Sequence, residues 1–394
     1  MTAEARPAKR VLFLISDTGG GHRSAANAIA AALDELRGPF VYEYRIDDVA
    51  TGFTYPLDQL GNAYATALKY APAIYGALYH ATNGRRRYTI LVRLSDPLYR
   101  KSLAALYRSY RPDVIVSVHP LLNAPALRAR DDAGMRDVPF VTVVTDLGEV
   151  HESWLTGDAD AIVVPAREVH DRALARDVLP ERLRLIGHPI HPKFEDVEGT
   201  KAEMRERLGL PADATIVLLM AGGEGGGKLF DTAVALAKAA LPIRLVVVCG
   251  RNEAMRARLA ETAATLPTPL TAMGFTDRVP ELFRAADLLV TKAGPGAIAE
   301  AGAARLPIVI YDYVPGQELG NVAFVRANDL GAIALKGPGD VVAAVRGLLA
   351  DPDRLATIRE HQAAIAPVRS SRRIAALIAS LAETGRLPVD QEQR

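Results

Sequence analysis

The chain has 394 residues, 49% hydrophobic and 24% charged, with a formal net charge of +1. That length exceeds one ordinary domain and the composition can fill two cores, while the near-zero charge excludes a global field drawing the protein toward nucleic acid. The single cysteine, Cys249, excludes an internal disulfide and a cysteine metal cluster.

The first residues, 1–9, are polar and lack the apolar core of a secretory signal. A strand is predicted at 11–15, and Ser16-Asp17-Thr18-Gly19-Gly20-Gly21-His22 follows it and opens a helix over 24–36. Three successive glycines allow a tight turn and close approach of a ligand to backbone amides. His22 then stands where a strand ends in an open α/β sheet, the usual ligand side, and an imidazole there can take a proton from a hydroxyl. A helix-capping loop with an incidental histidine is the plain alternative.

After a strand at 41–45 comes a basic and aromatic stretch. Between Leu60 and Pro112 lie nine Lys or Arg residues, Arg85, Arg86 and Arg87 among them, against one acid, Asp96. Eight of the thirteen tyrosines share that stretch: Tyr64, Tyr70, Tyr75, Tyr79, Tyr88, Tyr99, Tyr107 and Tyr110. Tyrosine favours the lipid–water boundary and clustered cations attract anionic headgroups, so an anionic membrane surface is the expected partner. No nucleic-acid motif accompanies the patch, and none of its runs reaches the roughly 18 apolar residues of a membrane-spanning helix.

Strands follow at 114–118, 140–145, 161–164 and 183–186, several of them apolar throughout, as parallel strands covered on both faces would be. The proline pair in 187–194 breaks regular structure and marks a hinge. The pattern then restarts, with strands at 216–220, 245–249, 288–291, 308–311 and 332–334. Cys249 ends one of these runs and reads as a buried strand residue, a usage that fits a reducing cytosol. The expected division is an N-terminal domain 1–190, a C-terminal domain 191–367, and a helical tail 368–394 packing back on the first.

The second half repeats the glycine device. Ala221-Gly222-Gly223-Glu224-Gly225-Gly226-Gly227-Lys228 follows its first strand, and Gly294-Pro295-Gly296 opens a helix after 288–291. Free amides at such helix starts suit a diphosphate. Glu300, one turn in, can accept hydrogen bonds from a ribose diol, and Gln317, Glu318 and Asn321 at i, i+1 and i+4 of a further helix suit sugar hydroxyls.

Together these segments resemble the monogalactosyldiacylglycerol synthase and processive diacylglycerol glucosyltransferase family. The resemblance rests on Asp17–Ala25, on Thr145-Asp146 with His151 and Trp154, on Gly222–Gly227, and on Thr291–Glu300, Leu306-Pro307-Ile308 and Pro315–Asn321. It extends more loosely to the transferase that adds N-acetylglucosamine to the peptidoglycan lipid intermediate. It implies a GT-B α/β fold, two Rossmann-like domains facing across a cleft, and an inverting, metal-independent transfer of glucose or galactose from a UDP-sugar to diacylglycerol or a related membrane lipid. By position, His22 becomes the general base, with Asp146 orienting it or the acceptor. Gly222, Gly223, Glu224, Gly225, Gly294, Pro295, Gly296 and Glu300 hold the UDP, with Phe275 at the uracil. Gln317, Glu318 and Asn321 hold the sugar. Gly20, Gly21, His151, Trp154 and Arg85–Arg87 face the acceptor and membrane. The implied location is cytoplasmic, on the inner face of the cell membrane. Gly226, where the family carries a bulkier residue, and His188 depart from its pattern. A UDP-N-acetylglucosamine-using transferase or 2-epimerase of the same fold is the alternative. A nicotinamide oxidoreductase is disfavoured because the first loop lacks G-x-G-x-x-G.

Overall fold

The computed structural model describes residues 6–16, 20–49, 66, 71–155, 158–222, 228–366 and 368–388, without the side chains of Pro72, Leu94, Ser95, Pro97 and Leu98. The chain forms two compact units. One comprises Met1–Pro192, Pro315–Gln317 and Arg369–Arg394, and the other Lys193–Val314 and Glu318–Val368.

In the first unit β1 (Ala8–Ile15), β2 (Val41–Asp48), β3 (Val114–Ser117), β4 (Phe140–Val143), β5 (Ala161–Val164) and β6 (Leu183–Leu185) form a parallel sheet in the order β2-β1-β3-β4-β5-β6. Its helices are α1 (Gly21–Asp34), α2 (Pro72–Thr82), α3 (Arg85–Tyr110), α4 (Asn123–Asp132) and α5 (Arg167–Leu174). Alternation along β1 decides the layering. Val11, Phe13 and Ile15 face a core shared with Ile29 and Leu33 of α1 and with Ile374, Ile378 and Leu381 of the C-terminal helix Ser370–Thr384. Leu12 and Leu14 face the opposite core, with Leu103, Tyr107 and Trp154. Both faces of the strand are therefore covered, which explains its unbroken apolar run. The C-terminal helix is also tied by two buried hydroxyls: Ser370 Oγ donates to the His188 carbonyl at 2.7 Å and Ser371 Oγ to that of Ile190 at 2.6 Å.

The second unit opens with α6 (Lys201–Arg207), whose start is fixed by a reciprocal Thr200–Glu203 capping box. There follow β7 (Thr215–Met220), α7 (Leu229–Lys238), β8 (Ile243–Val248), α8 (Glu253–Ala263), β9 (Leu270–Met273), α9 (Val279–Ala285), β10 (Leu288–Lys292), α10 (Pro295–Ala304), β11 (Ile308–Asp312), α11 (Leu319–Ala327), β12 (Gly331–Ile333), α12 (Pro338–Leu349) and α13 (Pro352–Ile365). The sheet is parallel, in the order β12-β11-β10-β7-β8-β9. Cys249 lies in its core. Strand β9 escapes the sequence patterning because it is a short edge strand whose four residues are all only half-buried.

Strand order reverses between β1 and β3 in one sheet and between β7 and β10 in the other. Such switch points open a crevice at the carboxyl ends of the two strands, where open α/β sheets bind ligands.

Candidate active site

At the first switch point α1 begins at Gly21. Gly20, its N-cap, has φ 81°, a left-handed conformation that favours glycine, and no side chain caps the helix. Gly21 has open space where a Cβ would stand. His22 follows and is buried. Its ring meets that of His119, just past β3, edge to face with centroids 4.7 Å apart, and Trp154 at 6.2 Å. Thr145 Oγ1 lies 3.5 Å from His22 Nδ1. Burial first, and His22 second, hold His119 well below the ordinary histidine range. His188 is likewise pushed down to about 4 by burial and by His22, against a hydrogen bond to the Pro189 backbone. Among these three rings, His119 and His188 are therefore neutral at neutral pH.

Asp146, Trp154 and His151 are enclosed nearby in the same unit. The Trp154 indole donates to Asp146 Oδ2 at 2.7 Å, and both residues are buried. His151 Nδ1 accepts from the Ser153 amide at 3.2 Å and lies 2.7 Å from its hydroxyl, which leaves the ring proton on Nε2, 3.3 Å from Thr82 Oγ1. Burial, then Arg172, pushes His151 down to about 4. His151 and Trp154, expected on the acceptor and membrane side, are enclosed residues whose hydrogen bonds run to Ser153 and Asp146. Sequence reasoning missed His119. Its signal was a histidine directly after the apolar run 114–118.

The basic stretch divides differently from the expectation. Tyr88 and Tyr107 are buried, and Tyr75, Tyr79, Tyr99 and Tyr110 are half-buried; Tyr64, Lys69 and Tyr70 lie outside the described residues. Tyrosine is long enough to reach the core from α2 and α3, and there it packs. The exposed apolar residues are aliphatic: Ile74 (71%), Leu78 (61%), Ile90 (58%) and Leu91 (36%). Arg86, Ile90 and Arg93 share one exposed stripe of α3 at i, i+4 and i+7. Arg85 pairs with Asp177 at 3.1 Å, and Arg87 caps back to the Asn83 carbonyl at 2.7 Å. Among the described residues no helix is long and apolar enough to cross a membrane.

At the second switch point Gly222 has φ 82°, while Gly223, Glu224 and Gly225 lie outside the described residues. Gly294 is the extended N-cap of α10 and Pro295 its first residue, so the amides of Gly296 and Ala297 head the helix with no side-chain cap. Glu300 is half-buried, and desolvation of its carboxyl pushes it up to about 8. α11 starts at Leu319, so Gln317 and Glu318 precede it rather than sharing its face with Asn321. Gln317 groups with the first unit. Glu318 is buried, accepts from the Val314 amide at 2.8 Å, and faces Lys292 Nζ at 3.8 Å. Asn321 is fully buried and donates to the Ala293 carbonyl at 3.0 Å, which pins the Gly294 turn. Phe275 is exposed, with the Arg251 guanidinium 5.0 Å above its ring. Lys292 and Lys228, the latter 3.1 Å from Asp312, went unremarked in the sequence because a lone lysine beside a glycine loop has no periodicity to single it out.

Comparison with known proteins fits this geometry. Residues 22–190 match the family model "Monogalactosyldiacylglycerol (MGDG) synthase", and residues 217–357 match "Glycosyltransferase family 28 C-terminal domain". The chain is 37% identical to a probable chloroplastic monogalactosyldiacylglycerol synthase of Nicotiana tabacum, over 83% of this chain and 62% of that protein. It is 35% identical to probable chloroplastic monogalactosyldiacylglycerol synthase 3 of Oryza sativa subsp. japonica, over 90% of this chain and 71% of that protein. The match thus spans about six- to seven-tenths of these relatives' length. Acinetobacter baumannii MurG superposes with a TM-score of 0.58 at 16% identity, covering 94% of this chain and 99% of MurG. The UDP-GlcNAc 2-epimerase of Neisseria meningitidis, bound to UDP-GlcNAc, gives 0.59 at 10% identity, covering 95% of this chain and all of that one. The fold is GT-B. One expectation is overturned: the relatives are designated chloroplastic, which contradicts a location on the inner face of the cell membrane. A cationic, apolar surface fits any anionic bilayer and so carries no address.

Proposed function

Because the chain belongs to the monogalactosyldiacylglycerol synthase family, we propose that it transfers a hexose from a UDP-sugar to diacylglycerol by a single inverting displacement without a metal ion. The observation that carries this reading is His22. A buried imidazole stands at a sheet switch point beside Thr145, and its neighbours His119 and His188 are held neutral. In the reaction His22 takes the proton of the acceptor hydroxyl as that oxygen attacks the anomeric carbon. The bond from that carbon to the diphosphate breaks, and UDP leaves with the electron pair. The α10 amides stabilise the charge that builds on the leaving group. Glu300 accepts from the ribose diol and Glu318 from sugar hydroxyls, while Asn321 keeps the turn between them in register.

The relatives' names favour galactose as the donor sugar. Vesicles containing diacylglycerol, incubated with UDP-galactose and in parallel with UDP-glucose, should give a lipid heavier by one hexose for each UDP released. UDP release without a new lipid would defeat the acceptor half of the reading. With UDP-N-acetylglucosamine as a third donor, an epimerised nucleotide sugar in place of a lipid product would favour the epimerase alternative.

For membrane docking the supporting surface is the exposed set Ile74, Leu78, Ile90 and Leu91 with Arg86 and Arg93, and not the tyrosines. Sedimentation with anionic vesicles should fall several-fold in an Ile90→Ser/Leu91→Ser variant and stay unchanged in Tyr99→Phe.

A further inference from the structure

The donor site proposed above has an electrostatic problem. A diphosphate is dianionic, and the two lysines at the second switch point, Lys292 and Lys228, are each already paired with a carboxylate, Glu318 and Asp312. Helix-start amides supply partial charges only, and a fixed anion nearby opposes a second one.

The backbone supplies a cation at that point. β11 carries one extra residue opposite the Thr291–Lys292 step: Thr291 pairs with Ile310, but Lys292 pairs with Asp312. Such a bulge locally redirects side chains at the end of a ladder. Lys292 therefore ends β10 level with Asp312, at the carboxyl edge of the sheet. Its Nζ is 3.8 Å from Glu318 Oε1, and its Cε is 3.7 Å from where a Cβ on Gly222 would stand. A Cβ on Gly294 would stand 3.9 Å from the same Glu318 oxygen. The ammonium, the Gly222 turn, the Gly294 cap and the Glu318 carboxylate thus meet in one patch of the second unit.

Resting on that donor reading, we propose that Lys292 is the cation that receives the diphosphate, and that Glu318 occupies it until the donor arrives. The Lys292–Glu318 separation is too long for a hydrogen bond, so the pair is a Coulombic contact. A phosphate oxygen can make a charge-assisted bond of about 2.8 Å to the same ammonium and displaces it. Glu318 is buried and held by the Val314 amide, so it stays in place and loses only its counter-ion. The hydroxyls of the incoming sugar then supply donors to the freed carboxylate. The exchange couples the two halves of the donor: the diphosphate releases the residue that reads the sugar.

The test is calorimetric titration of UDP and of uridine, which lacks phosphates, into the whole chain as wild type, Lys292→Met, Lys292→Arg and Glu318→Gln, with thermal melts as the folding control. Lys292→Met should weaken UDP roughly 100-fold and uridine less than about twofold, while Lys292→Arg stays within roughly tenfold of wild type. Glu318→Gln should tighten UDP roughly three- to tenfold, because the internal competitor is gone. Equal weakening of UDP and uridine in Lys292→Met, or UDP binding unchanged by it, would overturn the proposal. So would a Glu318→Gln variant that binds UDP no tighter, and that arm decides the matter if Lys292→Met fails to fold. Wild-type protein that does not bind UDP defeats the donor reading itself, and the proposal with it.

Discussion

The two switch points occupy equivalent places in equivalent sheets, yet they are built from different chemistry. At the first, three imidazoles, an indole and a carboxylate are all buried. Two of those rings, His119 and His188, are pushed below the histidine range mainly by burial. At the second, backbone amides and two lysine–carboxylate pairs lie close to a glycine turn. The sheet topology decides where a ligand can bind, and the residues that end each strand decide what is done there. A site that moves a proton needs neutral, enclosed bases; a site that holds a charged leaving group needs donors and cations within reach of solvent.

The largest expected effect tests this separation. His22→Ala should lower turnover by about 10²–10⁴ while leaving UDP affinity within about twofold. Loss of UDP affinity in parallel would merge the two sites into one.

The next effect is the pH dependence contributed by two histidines of the first unit. His151 and His188 titrate near 4 in the folded chain against 6.5 when unfolded. Their folded pKa values are lowered, so between these limits the unfolded chain binds more protons. The contribution of these two rings is full above about pH 6.5 and falls as the pH drops toward 4, by up to about 3 kcal/mol for each ring, while Glu300, raised to about 8, contributes in the opposite sense as the pH rises from 4.5 to 8. Melting curves over that range should show the loss, and His188→Asn should flatten the slope.

Smaller effects follow from single hydrogen bonds. Asn321→Ala removes the donor to the Ala293 carbonyl and should raise the donor KM, with a stability cost of about 1–3 kcal/mol and no change in the acceptor KM. Ser370→Ala removes the bond to the His188 carbonyl and should cost about 1 kcal/mol, read by denaturant unfolding.

Much of this was legible in the chain. The apolar runs gave nine of the twelve described strands nearly in place because strands buried on both faces have no alternation to blur, and cut β1 short at its polar start, Ala8-Lys9-Arg10. β2 was truncated: Ile46-Asp47-Asp48 continue it beyond 45 although two of them are acidic. β9 was missed because it lies at an edge. His22 and the glycine turns stood out because a sharp turn after a strand demands unusual residues. The tyrosines misled, since composition shows that rings cluster but not which way they point. Gln317, Glu318 and Asn321 looked like one helical face, but the helix starts two residues after Gln317. Lys292 became visible only when the strand order brought β10 beside β7.

The central chemical claim is a single displacement with His22 as base, and the configuration of the new glycosidic bond tests it most directly. With UDP-galactose, whose anomeric carbon is α-linked, proton NMR of the purified lipid product should show the large anomeric coupling of a β-linkage. A product with the small coupling of an α-linkage would mean retention and would contradict the account.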